Sequence, residues 1–139
     1  MVDMTPEQMA AIHRACFTTP RPWSASEIAG LLDSRHCFAC FAENSFLLGR
    51  AVAGEAELLT IAVSPDSQGR GIGAALIDLF LGAARQGQCE QAFLEVAANN
   101  PAAIHLYLKR GFTLTDQRPD YYLLPDGNRV AALNFTCTL

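Results

Sequence analysis

The run Gln68-Gly69-Arg70-Gly71-Ile72-Gly73 joins the most strand-like segment of the chain, Glu57 to Val63, to a helical segment from about Gly71 to Gln86. This junction restricts the fold more than any other stretch. Its three glycines let the backbone turn sharply and approach a ligand without side-chain clash. The helix that starts there offers free N–H groups and a positive dipole end to an anion, and Arg70 adds charge. The same glycines also suit a tight strand-to-helix connection made for packing alone. Two familiar phosphate loops are excluded. A Walker loop needs Lys and then Ser or Thr after its last glycine, whereas Ala74-Ala75 follows Gly73. A dinucleotide fingerprint needs G-x-G-x-x-G, and Gly69-Arg70-Gly71-Ile72-Gly73-Ala74 has the wrong final spacing and comes late, after an antiparallel meander. That leaves another kind of pyrophosphate ligand.

The rest of the chain reads as alternating helices and strands. Thr5, Pro6 and Gln8 form a capping box with proline at the first helical position, and Met9, Ile12, His13 and Cys16 recur at helical spacing. Residues 18–23 (Thr-Thr-Pro-Arg-Pro-Trp) break that helix, and Ser24 with Glu27 starts a second one with Ile28, Leu31 and Leu32 on its apolar face. Strands are expected at Cys37–Ala42, Phe46–Ala53 and Glu57–Val63, then at Gln91–Ala97. Asn100, Pro101, Lys109, Arg110 and Gly111 punctuate a helix over 100–110. Strands near Thr113–Arg118 and Val130–Thr136 follow, with Pro125-Asp126-Gly127-Asn128 turning the chain between Tyr121–Leu124 and the last strand.

The 139 residues, half of them apolar, suit a single α/β domain of mixed sheet spanning 1–139. A net charge of −4 gives no sign of a nucleic-acid surface. Five scattered cysteines read as reduced thiols of a cytoplasmic protein. Cys37 and Cys40 match C-x-x-C, but their segment reads as a strand and no second pair completes a metal site. His13, His36 and His105 lack metal-like spacing as well, so no metal is expected. Neither a signal peptide nor a membrane-spanning run is visible.

Two side chains stand out chemically. Glu95 interrupts an apolar strand, with Ala92, Leu94 and Val96 on one face and Phe93, Glu95 and Ala97 on the other. It is either an edge carboxylate paired with an arginine or a base, since burial suits a carboxylate to proton transfer. Tyr107 shares a helix face with Ala103 and Ile104, and is either a core aromatic with its hydroxyl at the rim or a proton donor.

Gln68-x-x-Gly71-x-Gly73-Ala74 between strand and helix resembles the coenzyme A loop of the GNAT acetyltransferase superfamily. Asn99-Asn100-Pro101-Ala102-Ala103-Ile104-His105-Leu106-Tyr107 through Gly111-Phe112 resembles its second cofactor motif. Pro22-Trp23-Ser24 and Leu94-Glu95-Val96 are similar to the bacterial RimI group, which acetylates the N-terminal alanine of a small-subunit ribosomal protein. The similarity is strongest from about residue 57 to 112, and Gly69 replaces a basic residue often found in the loop.

The resemblance implies a GNAT fold, a mostly antiparallel twisted sheet flanked by helices and splayed where the cofactor enters. It implies acetyl-CoA as cosubstrate and direct acetyl transfer to a primary amine, the α-amine of a protein N-terminus first of all. Glu95 would accept the amine proton and Tyr107 would protonate the thiolate. Gly69, Arg70, Gly71, Ile72, Gly73 and Ala74 would hold the pyrophosphate. Backbone groups of Ile61, Ala62 and Val63 would pair with the pantetheine arm. Asn100, first a helix cap, would also touch the cofactor. Trp23 is a packed loop anchor or, by analogy, a wall for a peptide substrate, and Tyr121 and Tyr122 are exposed strand aromatics or flank the same groove. A lysine, polyamine or other small amine is the alternative acceptor. A non-catalytic acyl-CoA sensor would need neither Glu95 nor Tyr107.

Overall fold

The computed structural model describes residues 3–17 and 21–139, so the expected helix break at Thr18, Thr19 and Pro20 lies outside the described residues. Helix α1 (Pro6–Cys16) begins at the capping box read from the sequence: the Gln8 N–H donates to Thr5 Oγ1 and the Thr5 N–H to Gln8 Oε1. Helix α2 (Ala25–Leu32) begins in the same way at Ser24 and Glu27. Strands β1 (Cys37–Ala42), β2 (Ser45–Val52) and β3 (Glu55–Val63) form an antiparallel meander. The tight turns between them place Asn44, Ala53 and Gly54 at positive φ. A single turn of 3₁₀-helix (Pro65–Ser67) then leads to α3 (Ile72–Gln86), followed by β4 (Gln91–Ala97), α4 (Pro101–Lys109), β5 (Thr113–Leu123) and β6 (Arg129–Thr138).

The six strands make one sheet in the order β1-β2-β3-β4-β6-β5. Only β3 and β4 run parallel, and they pair at just three positions, Glu55, Ala56 and Glu57 with Gln91, Ala92 and Phe93. Beyond these the strands part, while β4 stays paired with β6 along its whole length. Strand β5 differs from the two short runs expected. It is one 11-residue strand that continues through Pro119 and Asp120. Its pairing with β6 shifts between Arg118 and Tyr122, and Asp120 takes φ 53°. An irregularity of this kind re-aims the side chains that follow it, here Tyr121 and Tyr122.

Two apolar clusters hold the sheet. On one side α3 and α4 bury Leu76, Ile77, Phe80 and Tyr107 against Leu94, Phe112 and Phe135. In the other, α1 and α2 bury Met9, Ala10 and Ile28 against Phe46, Leu48 and Ala62. The cysteines are free thiols; Cys37 and Cys40 lie on β1, where three-residue spacing puts them on opposite faces. Gly49 marks the tightest contact, because a Cβ there would sit 2.7 Å from Phe38 Cζ and 3.0 Å from the Phe80 ring. These two rings are themselves stacked at 6.0 Å. Gly49→Ala overpacks this contact at a cost of about 1–3 kcal/mol. The expected outcome is a melting temperature several degrees below wild type by calorimetry; an equal one would mean that Phe38 gives way freely.

Candidate active site

Where β3 and β4 part, a cavity of about 90 Å³ opens, and Glu95 and Tyr107 both line it. Glu95 comes from β4, on the face opposite Leu94 and Val96, which are buried. Its surroundings differ from the apolar burial read in the sequence. The residue is exposed, and its partner is no arginine: the Tyr122 hydroxyl donates to Glu95 Oε2 at 2.6 Å. Burial, and then this bond to a carboxylate, push the Tyr122 phenol above its ordinary range, so it stays a donor.

Tyr107 is 5% exposed, with its ring against Phe112 at 6.0 Å and Phe135 at 6.4 Å. Both sequence readings meet here, since a packed ring also lines the cavity. Burial raises its phenol well above the ordinary range, which keeps the proton on the hydroxyl through neutral pH.

The remaining wall comes from the α1–α2 region, from β3 and from the start of α4. Trp23, Phe17, Ile61 and Asn100 line the same cavity, and Asn100 also caps α4 by accepting from the Ala103 N–H at 3.2 Å. Tyr122 lines it too, whereas Tyr121 does not. Tyr121 is 47% exposed, set edge-on to Tyr122 at 5.0 Å and covered by the Arg118 guanidinium at 5.3 Å.

At the C-terminal end of β3 the strand edge is open. The Ser64 N–H donates to Asn44 on the β2 side. Antiparallel alternation therefore turns the backbone of Ala62 towards β2 and those of Ile61 and Val63 towards the gap. Only Ile61 and Val63 offer the strand edge expected of all three residues. The Val63 carbonyl already accepts from Cys16 Sγ at 3.2 Å and Gln68 Nε2 at 3.0 Å.

Gly69–Ala74 lies just past this edge and does not line the Glu95 cavity. Gly69 and Gly71 take φ 80° and 76°, a region that side chains rarely enter, and open space surrounds both. Gly71 is the N-cap of α3 and makes no side-chain cap bond, so the first N–H groups of the helix remain available. Gly73 serves packing instead, since a Cβ there would lie 3.0 Å from Leu106 Cδ2. An open, left-handed, uncapped loop beside a free strand edge fits a phosphate-bearing thioester such as acetyl-CoA. Among the described residues no group of three His, Cys, Asp or Glu side chains could hold a metal, and no helix is long and apolar enough to cross a membrane.

The chain belongs to the Acetyltransferase (GNAT) family, which it matches over residues 7–112. It is 34% identical over 116 residues to the ribosomal protein bS18-alanine N-acetyltransferase of Escherichia coli (strain K12), across 81% of this chain and 78% of that one. It is 44% identical over 75 residues to the N-alpha-acetyltransferase RimI of Mycobacterium tuberculosis, across 54% and 46%. The crystal structure of the ribosomal-protein-S18-alanine N-acetyltransferase from Escherichia coli superposes with a TM-score of 0.85 at 28% identity, covering 96% of this chain and 86% of that one. The GNAT fold and the acetyl-CoA-dependent N-acetyltransferase class expected from the motifs are met.

His13 is a site residue that the sequence reading left without a role. It is 1% exposed, lines the cavity and accepts the Trp23 N–H at Nδ1, 3.1 Å away. Its place among Met9, Ile12 and Cys16 on the apolar side of α1 was the available signal, because a buried imidazole must find partners. Burial lowers its pKa to about 4, against a smaller opposing pull from the Glu27 carboxylate. The unfolded chain therefore takes up a proton that the fold refuses. His13 leaves stability intact above pH 6.5 and drains it as pH falls from there towards 4. Glu27 acts lower. Arg21 and then the Ser24 N–H hold its carboxyl down to about 2, so its contribution persists above pH 4.5 and is lost as pH falls towards 2. Between pH 6.5 and 4.5 the melting temperature should decline, and the His13 share of the lost unfolding free energy is at most the one-proton slope of about 1.4 kcal/mol per pH unit. His13→Phe should flatten that decline, and parallel profiles for the two proteins would show that His13 is not its source.

Proposed function

We propose that this chain moves the acetyl group of acetyl-CoA onto the α-amine of a protein N-terminus, with a ribosomal protein beginning in alanine as the leading acceptor, in the cytoplasm. The observation that carries this reading is the convergence of Glu95 and Tyr107, from two different elements, on one cavity at the parting of β3 and β4. The similarity to alanine N-acetyltransferases supports the choice of acceptor.

Acetyl-CoA would supply the activated acetyl group as a thioester. The N–H groups at the start of α3, with Gly69, Arg70, Gly71, Ile72, Gly73 and Ala74, would hold its pyrophosphate, and the backbones of Ile61 and Val63 its pantetheine arm. An amine attacks only when neutral, and an α-amine, with a pKa of about 7.7–8.0, is close to that state at neutral pH. Glu95 then takes the proton released as the new C–N bond forms, directly or through a water, and its exposure leaves room for that water. The Tyr122 hydroxyl holds the carboxylate in place. The Tyr107 hydroxyl, kept protonated by burial, donates a hydrogen bond to the sulfur as it leaves, and the thiolate takes its proton from solvent. Trp23 and Tyr122 would flank the incoming peptide.

Glu95→Gln should lower kcat by about 10²-fold or more, the usual worth of a positioned general base, while calorimetric affinity for acetyl-CoA stays at the wild-type value. Unchanged turnover would remove Glu95 as the base. The acceptor is tested by mass spectrometry on peptides with free N-terminal Ala, Ser, Met or Gly and on blocked peptides with an internal Lys. Acetylation of the α-amine of Ala or Ser peptides is expected. Acetylation of lysine alone, or of polyamines alone, would overturn the acceptor and keep the family.

A further inference from the structure

Among the described residues, His13 is, Tyr107 apart, the buried titratable side chain at the cavity, and the chemistry above gives it no task. Its ring ties together two segments far apart in sequence. The Trp23 main-chain N–H donates to Nδ1 at 3.1 Å, and Nε2 lies 2.9 Å from Thr60 Oγ1. A main-chain nitrogen can only donate, so Nδ1 carries no proton. The ring is therefore neutral, with its proton on Nε2 and donated to Thr60. The ring also stacks on Phe17 at 4.3 Å and on Trp23 at 5.3 Å. Phe17, Trp23 and Thr60 all line the cavity that holds Glu95. Thr60 stands on the stretch of β3 past its last pairing with β4, and Trp23 directly precedes the N-cap of α2.

A phenylalanine would fill the same space and stack as well. What an imidazole adds is one acceptor and one donor pointing to different segments. Each makes a directional link that packing alone does not: the main chain at Trp23 to α1, and α1 to Thr60 on β3.

We propose that His13 is a positioning residue for the acceptor, tying the Trp23 wall of the cavity to β3 at Thr60. This rests on the reading that the acceptor amine enters this cavity. Two readouts test it, and one of them is independent of turnover. Trp23 is the chain's single tryptophan, so its fluorescence reports this wall alone. Acrylamide quenching should increase in His13→Phe, which keeps the stack and loses both links. It should return part of the way towards wild type in His13→Asn, whose amide oxygen can take the place of Nδ1 but whose side chain does not reach Thr60. In steady state with an N-terminal Ala peptide, His13→Phe should raise the peptide KM about tenfold, the scale of one lost hydrogen bond. Its kcat and its KM for acetyl-CoA should stay within about twofold, the pattern of lost uniform binding, and His13→Asn should recover part of the peptide KM.

Wild-type quenching in folded His13→Phe would overturn the anchoring. So would an apparent kcat that falls in proportion to unfolded protein while the peptide KM stays at the wild-type value. Altered quenching with an unchanged peptide KM would show that His13 anchors a wall the acceptor does not use, which overturns its positioning role. If the wild-type chain acetylates no peptide at all, the acceptor reading fails, and the positioning role falls with it whatever the quenching shows.

Discussion

Strands β3 and β4 are held to one another at three residue pairs and then separate, and the rest of the site follows from that short contact. The parallel pair needs a long crossover, and α3 supplies it, entering through the glycine loop at one end of β3. Past Glu57 no strand among the described residues pairs with this edge of β3, so Ile61 and Val63 face the gap. Strand β4 keeps its order because β6 pairs with it from Gln91 to Ala97. One wall is therefore unpaired and able to accept an added extended chain, while the other is rigid and carries Glu95. A fully zipped β3–β4 ladder would close the cavity and satisfy the same backbone groups internally.

Much of this was legible in the chain because short-range signals carried it. The capping boxes at Thr5 and Ser24 and the cap at Asn100 depend on contacts three residues apart, and all three formed. The left-handed turns at Gly69 and Gly71 were equally local. Gly73 was not, since its reason is the side chain of Leu106 on a later helix. The surroundings of Glu95 are not local either. Strand alternation correctly set it opposite Leu94 and Val96, but which face is wet depends on β6, β5 and the shifted pairing around Asp120 that brings Tyr122 over it. No period in the sequence encodes that shift. His13 stayed hidden because its partners, Trp23 and Thr60, are joined to it only by tertiary folding.

The two reactive side chains sit in opposite environments, and the difference suits their tasks. Tyr107 is packed between Phe112 and Phe135, where loss of its proton is disfavoured, so it is a donor by default. Glu95 stands at the wet side, where water can reach it and where a hydroxyl fixes one oxygen. Exchange of the two environments would leave a carboxylate stranded in the core and a phenol free to rotate in solvent, each at a cost in stability.

A neutral imidazole at position 13 belongs to the same logic. A charged residue there would bring its field into a cavity where an amine must shed a proton, and a buried cation would oppose a cationic acceptor as it arrives. The ring avoids this by accepting from Trp23, a bond that only the unprotonated Nδ1 can make. Folding thus selects the neutral form and sets the wall in the same contact. The desolvation that lowers the pKa of His13 is then the consequence of a structural tie placed next to the reacting groups, where any fixed charge would be felt.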